Sequence, residues 1–94
     1  MAIWDEAKRR HNLHVHGLDF IDADEIWDGF TVTREDIRQN YGEPRWVTFG
    51  LLRAEVVVLV HTERGGHDRY ISLRRADRYE TMAFFEAARG LQAH

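Results

Sequence analysis

Cysteine is absent from this chain of 94 residues, which excludes disulfide bonds and thiolate zinc sites. This absence is typical of a reducing compartment, and we expect a cytoplasmic protein. The N-terminal residues lack the apolar stretch of a signal peptide, and no run approaches the roughly 20 apolar residues of a membrane span. We therefore expect no membrane partner. The only proline is Pro44, in the clearest loop, Asn40 to Pro44.

Positive charge is outnumbered, with 13 Lys or Arg against 16 Asp or Glu. The net charge of −3 argues against indiscriminate binding to nucleic acid. The distribution is uneven, because residues 1–44 contain five Lys or Arg against ten Asp or Glu, whereas residues 45–94 contain eight against six. We therefore expect any site for a polyanion to lie in the second half of the chain.

The most hydrophobic stretch predicts a β-hairpin. Residues 56–60 are an unbroken apolar run, β-branched and too short for a buried helix, which predicts a central strand. Gly65 and Gly66 predict a turn, because glycine adopts positive φ without steric cost. A second strand is then predicted from Arg69 to Leu73.

Strict alternation along this second strand assigns its side chains to faces. One face would carry Tyr70, Ser72 and Arg74. The other would carry Arg69, Ile71 and Leu73. Because guanidinium groups present planar donor forks that match phosphate, the arginines at this hairpin predict an anion site.

Helix signals lie on both sides of the predicted strands. A first helix is predicted from about residue 6 to residue 14 or 15, between a capping Asp5 and Gly17. A second is predicted over residues 19–28. A last helix, to about residue 89, would begin with a capping box formed by Asp77 and Glu80.

The order of elements predicts an α+β fold. Strands predicted from residue 30 and over residues 45–51 precede the hairpin, and the short connections favour a four-stranded antiparallel meander. Two N-terminal helices and one C-terminal helix would cover one face of this sheet. Residues 2–4 fit either an edge strand or a hydrophobic staple. The length predicts a single domain over residues 1–94.

Several short motifs, in their order and spacing, resemble those of the BrnT family of type II toxin–antitoxin ribonucleases over nearly the full length. They are Trp4-Asp5 with Lys8 and Asn12, His16-Gly17, Tyr41-Gly42-Glu43 with Arg45, Thr62-Glu63-Arg64-Gly65, and Arg69 with Ile71-Ser72 and Arg74-Arg75-Ala76. The resemblance implies a RelE-like toxin fold and a metal-independent endoribonuclease that stops translation. It also implies a BrnA-type antitoxin with a ribbon-helix-helix DNA-binding part, through which alone the toxin would reach operator DNA.

Two departures from the family pattern suggest an alternative function. Val15 occupies a position where the family usually has lysine, and the chain is acidic where such toxins tend to be basic. The alternative is a catalytically degenerate homologue that acts as a protein-interaction module in operon autoregulation.

Metal-independent RNA cleavage needs a base for the 2′-OH, cations for the charged transition state and an acid for the 5′-oxygen. The predicted catalytic residues are Arg64, Arg74, His16 and Glu43. The predicted RNA-binding residues are Lys8, Arg45, Arg69, Tyr70, Ser72 and Arg75. Their alternatives are surface ion pairs for the arginines, a helix cap for His16 and loop structure for Glu43.

Metal and cofactor sites are not predicted. His11 and His14 have a workable spacing for two ligands on a helix, but no Glu or Cys at matching spacing completes the set, and solvent-exposed histidines are the simpler interpretation. The glycines match no nucleotide-binding fingerprint. Trp27, Trp46 and the pair Phe84-Phe85 are predicted to be core residues or anchors for a partner.

Overall fold

The computed structural model describes residues 2–92, and the side chains of residues 2–90. Within that range it contains five strands, two α-helices and a 3-10 helix. In chain order these are β1 (Ile3–Trp4), α1 (Glu6–His16), the 3-10 helix (Phe20–Asp28), β2 (Val32–Glu35), β3 (Trp46–Leu52), β4 (Glu55–Arg64), β5 (His67–Arg75) and α2 (Arg78–Gln92). The α+β class is confirmed.

The sheet has five strands in the order β1-β5-β4-β3-β2, and it is mixed. Strands β2 to β5 form the predicted antiparallel meander. The predicted total of four strands is wrong, because β1 adds to the free edge of β5 in the parallel direction. Of the two alternatives for residues 2–4, the structure has the edge strand. A strand of two residues is too short for the alternation of side chains to distinguish it from a hydrophobic staple before a helix.

The first helix follows its capping signals. The carboxylate of Asp5 accepts hydrogen bonds from the backbone N–H groups of Ala7 and Lys8, at 2.8 and 3.4 Å. Gly17 ends the helix in the left-handed region at φ 69°, where its N–H donates to Leu13 O. Both caps were predicted, because Asp and Gly are the residues that these two positions favour.

The second helix is 3-10 rather than α, although its position agrees with the prediction. Its buried residues, Phe20, Ala23 and Ile26, recur every third position, which matches the three residues per turn of a 3-10 helix. They pack on Val57, Leu59, Tyr70 and Leu73 to form the core on this side of the sheet. Together with α1 this helix covers one face of the sheet, which we call the helix face.

The last helix covers part of the opposite face, so the expectation that all helices share one face is wrong. Phe84 is buried against Phe49, Val56 and Val58. Tyr79, Met82 and Phe85 are exposed, so the buried side of α2 centres on Phe84. The predicted capping box is present, since Asp77 N–H donates to Glu80 and Glu80 N–H donates to Asp77.

No helix in residues 2–92 combines the length and the apolar character needed to cross a membrane.

Candidate functional site

A bulge in β5 decides which of its side chains share a face. Val60 pairs with Ser72 but the next residue, His61, pairs with Tyr70, so Ile71 has no partner across the ladder. The extra residue reverses the alternation. Tyr70 therefore joins Leu73 in the helix-face core, and the prediction that Tyr70 shares a face with Ser72 and Arg74 is wrong.

Ser72 and Arg74 line a cleft on the opposite side of the sheet. The cleft has a volume of about 450 Å³, and its apolar residues include Val47, Val58 and Val60. Its polar residues are Arg34, Glu35, Asp36, Arg38, Ser72, Arg74 and Glu80. Three guanidinium groups thus converge on one hydroxyl-bearing surface, which we call the cationic cleft.

The central guanidinium of the cationic cleft belongs to Arg74. Its Nη1 and Nη2 donate to the two carboxylate oxygens of Glu80 at 2.8 and 2.9 Å, a fork-to-fork pair between β5 and the first turn of α2. These bonds raise the pKa of Arg74 and lower the pKa of Glu80 to about 2, so both groups are charged at neutral pH. Phosphate, like carboxylate, accepts two parallel N–H···O bonds from an arginine fork. Arg74 is therefore preorganised to bind a phosphate that displaces Glu80.

A second guanidinium, that of Arg38, is fixed by Asp36. The Asp36 carboxylate accepts from Arg38 Nε and Nη2, each at 2.8 Å, and from the hydroxyl of Tyr41 at 3.1 Å. The Arg38 side chain holds the pKa of Asp36 well below its usual range. The carboxylate is buried whereas the Arg38 side chain is 77% exposed. Asp36 thus anchors a cation that faces solvent.

The third guanidinium, that of Arg34, lies over the ring of Phe49, 5.1 Å from its centroid. No ion pair to Arg34 occurs in the described part of the chain. Its charge helps to lower the pKa of Glu80, and the charge of Arg38 opposes protonation of Arg74. The three guanidinium groups therefore line one cleft, where Arg34 and Arg38 affect the protonation of the central pair Glu80 and Arg74.

Four further predicted residues border this side of the sheet, nearer its loop end. Arg64 donates to Glu43 at 3.2 and 3.4 Å, so the two form an ion pair. The guanidinium of Arg45 stacks on Tyr41 at 4.1 Å, and its Nε is buried without a hydrogen bond. Arg69 lies opposite Thr62 in the ladder and is half-buried.

The remaining predicted residues do not join the cationic cleft. Arg75 points away from Arg74, where its Nε donates to Glu55 and its Nη1 donates to His16 O, each at 2.8 Å. His16 therefore lies with Arg75 at the end of α1 on the helix face. Lys8 is exposed on α1. The structure does not bring His16, Lys8 and Arg75 together with Arg74.

Tyr70 is 1% exposed and offers no surface for a base. Its hydroxyl accepts from Trp27 Nε1 at 3.0 Å and donates to the Asp24 carboxylate. Burial raises the pKa of this phenol, which stays protonated. Tyr70 is a core residue that joins the 3-10 helix to β5.

Sequence reasoning missed Arg34 and Arg38, and it missed the contact of Glu80 with Arg74. The positive charge of the two arginines was the only signal available. The prediction passed over it because both residues lie in the acidic half of the chain, where no cationic site was expected. It also missed His61, which is buried on the helix face with Nε2 at 2.7 Å from Thr48 Oγ1. Burial lowers the pKa of His61 and keeps the ring neutral.

The histidines of α1 find no further metal ligands. Among the residues that the structure describes, no three His, Cys, Asp or Glu side chains are grouped as a metal site requires.

Comparison with known proteins assigns the chain to a family. The sequence model described as "Ribonuclease toxin, BrnT, of type II toxin-antitoxin system" matches residues 4–80. No individually curated protein matches the chain at a significant level. The matched region includes Trp4 of β1, all of β2 to β5 and the start of α2 up to Glu80. The chain therefore belongs to the BrnT family of ribonuclease toxins from type II toxin–antitoxin systems.

Proposed function

We propose that this toxin is a metal-independent endoribonuclease that cleaves cytoplasmic RNA in the cationic cleft and so stops translation. The observation that carries the proposal is the convergence of Arg34, Arg38 and Arg74 beside Ser72 on an open face of the sheet. Three carboxylates, those of Glu35, Asp36 and Glu80, line the same cleft, so a polyanion would contact the guanidinium groups in exchange for these acids.

The proposed chemistry is transesterification at phosphorus. The 2′-OH attacks the adjacent phosphate, the 5′-oxygen leaves, and the products are a 2′,3′-cyclic phosphate and a 5′-OH. Negative charge accumulates on the non-bridging oxygens in the transition state, and preorganised cations stabilise it there. Arg74 would bind two of these oxygens as it binds Glu80, while Arg34 and Arg38 add charge and Ser72 donates a hydrogen bond.

The strand of RNA would extend from the cleft along the same side of the sheet. Arg45, Arg64 and Arg69 are the cations available there for neighbouring phosphates, and Glu43 would be released when RNA takes Arg64. These contacts position the strand without reading its sequence.

Acid–base catalysis by His16 remains a prediction with a clear test. No histidine lines the described cleft, so our proposal assigns charge stabilisation to the arginines, while water takes the proton of the 2′-OH and supplies one to the 5′-oxygen. A cleavage rate that depends on pH in the parent and loses that dependence in His16→Ala would instead assign proton transfer to His16.

Membership in a type II family implies an antitoxin protein as partner. We propose that it is a BrnA-type antitoxin whose ribbon-helix-helix part binds operator DNA, with the toxin reaching DNA only through it. We also propose that β2 to β5 with the N-terminal helices represent a RelE-like toxin fold to which β1 is added.

The alternative is a degenerate toxin that only binds its antitoxin. The observation that favours it is the pairing of both Arg74 and Arg38 with carboxylates, which a phosphate must displace. The two functions predict different behaviour of the chain without antitoxin, because only a ribonuclease would arrest growth and cleave RNA.

Induction of the chain alone, beside Arg74→Ala at matched protein levels, tests the proposal. We expect growth arrest with the parent and normal growth with the variant. Purified parent in excess chelator should release 5′-OH and cyclic-phosphate ends from RNA. No arrest and no cleavage by soluble, folded parent would establish the degenerate module instead, and cleavage that the chelator abolishes would refute metal independence.

A further inference from the structure

An apolar slot adjoins the cationic cleft, and the proposed reaction does not use it. It lies between α2 and the sheet with a volume of about 270 Å³. Its apolar walls include Val32, Phe49, Tyr79, Ala83, Phe84 and Ala87. Arg34, Phe49 and Glu80 line both the slot and the cleft, so the two cavities share a wall.

The volume and the lining residues of the slot suit one aromatic base. Its volume is just below the roughly 300–1,000 Å³ of sites for drug-sized ligands, which suits a smaller group. Proteins that bind single-stranded RNA stack unpaired bases on aromatic rings and on guanidinium planes. The slot offers both, since the Tyr79 ring is 79% exposed at its rim and Arg34 lies at its junction with the cleft.

The one carboxylate of the slot is that of Glu80. When a phosphate takes the fork of Arg74, the Glu80 carboxylate loses both bonds to that arginine, while Oε1 still accepts from Asp77 N–H. An ionised carboxylate only accepts hydrogen bonds. Among the four bases, guanine alone presents two adjacent donors, N1–H and N2–H, on its Watson–Crick edge.

We propose that the slot binds a guanine base next to the phosphate held by Arg74, with Glu80 exchanging the guanidinium for the guanine edge. The proposal rests on the function given above and specifies its substrate. The family match ends at residue 80, so the wall formed by Ala83, Phe84 and Ala87 lies outside the matched region. The exchange makes phosphate binding and base recognition interdependent.

Titration of the full chain with nucleoside 3′-monophosphates, followed by amide NMR shifts, tests the proposal. We expect guanosine 3′-monophosphate to shift amides of both the cleft, at Ser72, and the slot, at Ala83 and Ala87. It should bind on the order of 10-fold more tightly than the adenosine, cytidine or uridine compounds, as a bidentate contact to one base allows. Inosine 3′-monophosphate, which lacks the N2 amino group, should bind between these extremes.

Three variants separate the contributions. Glu80→Gln keeps the capping box but puts a donor towards the base, so the preference for guanine should disappear while inorganic phosphate binds Arg74 at least as well as before. Tyr79→Ala should weaken every nucleotide but leave inorganic phosphate unchanged. Met82→Ala, an exposed residue of α2 outside the slot, is the matched control and should change neither.

The outcomes distinguish this inference from the proposed function. Equal binding of all nucleotides with shifts confined to the cleft would overturn the guanine slot and leave the ribonuclease proposal intact. Absence of shifts in the cleft, with phosphate or nucleotide, would refute the proposed function itself. Slot shifts that occur only on addition of the antitoxin would assign the slot to that partner and overturn the inference.

Discussion

Asn12 joins α1 to the sheet, and replacing it should unfold the protein at a much lower temperature. The side chain is 3% exposed. Its Nδ2 donates to Leu73 O at 2.8 Å and to Leu18 O at 3.0 Å, and its Oδ1 accepts from Leu73 N–H at 2.9 Å. Strand β1 pairs with β5 only at Arg69 and Tyr70, so the Asn12 amide completes the edge of β5 at Leu73 as a neighbouring strand would.

Asn12→Ala leaves two buried backbone groups of Leu73 without partners. An unsatisfied buried donor or acceptor costs roughly 1–3 kcal/mol, so the loss should be about 3 kcal/mol in the free energy of unfolding. For a domain of this size, each kcal/mol lowers Tm by about 4–8 °C, and we expect a decrease of about 12–24 °C.

Thermal and urea unfolding of the antitoxin-free chain measures this loss. The matched control is His11→Ala, since His11 is the preceding residue of α1 and is exposed. That variant should change the free energy of unfolding by no more than about 0.5 kcal/mol. A loss below about 1 kcal/mol for Asn12→Ala, similar to the control, would show that water satisfies Leu73 and that our account of the edge is wrong.

Three further predictions concern pH and packing. Because the pKa of Glu80 falls from 4.5 to about 2 on folding, its stabilisation is complete above pH 4.5 and is lost as the pH falls towards 2. Between pH 5 and 2, Glu80→Gln should therefore lose about 1 kcal/mol less of its free energy of unfolding than the parent, a figure discounted for solvent screening. Urea midpoints that depend on pH in the same way in parent and variant would contradict this prediction. Burial lowers the pKa of His61, so the unfolded chain binds its proton first and stability should fall from pH 7 to 5. In His61→Gln the free energy of unfolding should fall less between pH 7 and 5 than in the parent. An identical decrease in both would exclude His61 as its origin. Gly50→Ala puts a Cβ 2.9 Å from Ile26 Cβ and should cost about 1–3 kcal/mol by urea unfolding, whereas Gly90→Ala, with open space around it, should cost nothing.

The sequence predicted the elements that depend on local chemistry. Asp5 and Gly17 cap α1 because short-range hydrogen bonds and backbone freedom determine those positions, and the same holds for Asp77 with Glu80. The central strand also follows from a local property, the β-branched run before His61. The class and the meander follow from the order of these elements.

The incorrect predictions concern features that depend on contacts with residues distant in the sequence. The bulge at Ile71 depends on pairing between β4 and β5, and no local pattern indicates it, so Tyr70 was assigned to the wrong face. The edge strand at Ile3 exists only because β5 has a free side for it. The assignment of α2 to the second face depends on where Phe84 finds apolar neighbours.

The candidate site was predictable only in part for the same reason. Arg74 and Ser72 were predicted because they lie on the second strand of a hairpin that the local sequence indicates clearly. Arg34 and Arg38 come from the acidic half of the chain, and they reach the cleft from β2, which pairs with β3, and from the loop that follows it. Average charge over a segment carries no information about which side chains the sheet brings together.

The comparison of Arg74→Ala with Arg75→Ala tests the central claim most directly. The two arginines are neighbours on β5, each pairs with one glutamate, and they point to opposite faces. Removing one preorganised donor to a transition-state oxyanion costs roughly 100- to 1,000-fold in rate. We therefore expect single-turnover RNA cleavage to fall at least about 100-fold in Arg74→Ala and by less than about 3-fold in Arg75→Ala. Equal losses in the two variants, or a larger loss in Arg75→Ala, would contradict the cationic cleft as the site of cleavage.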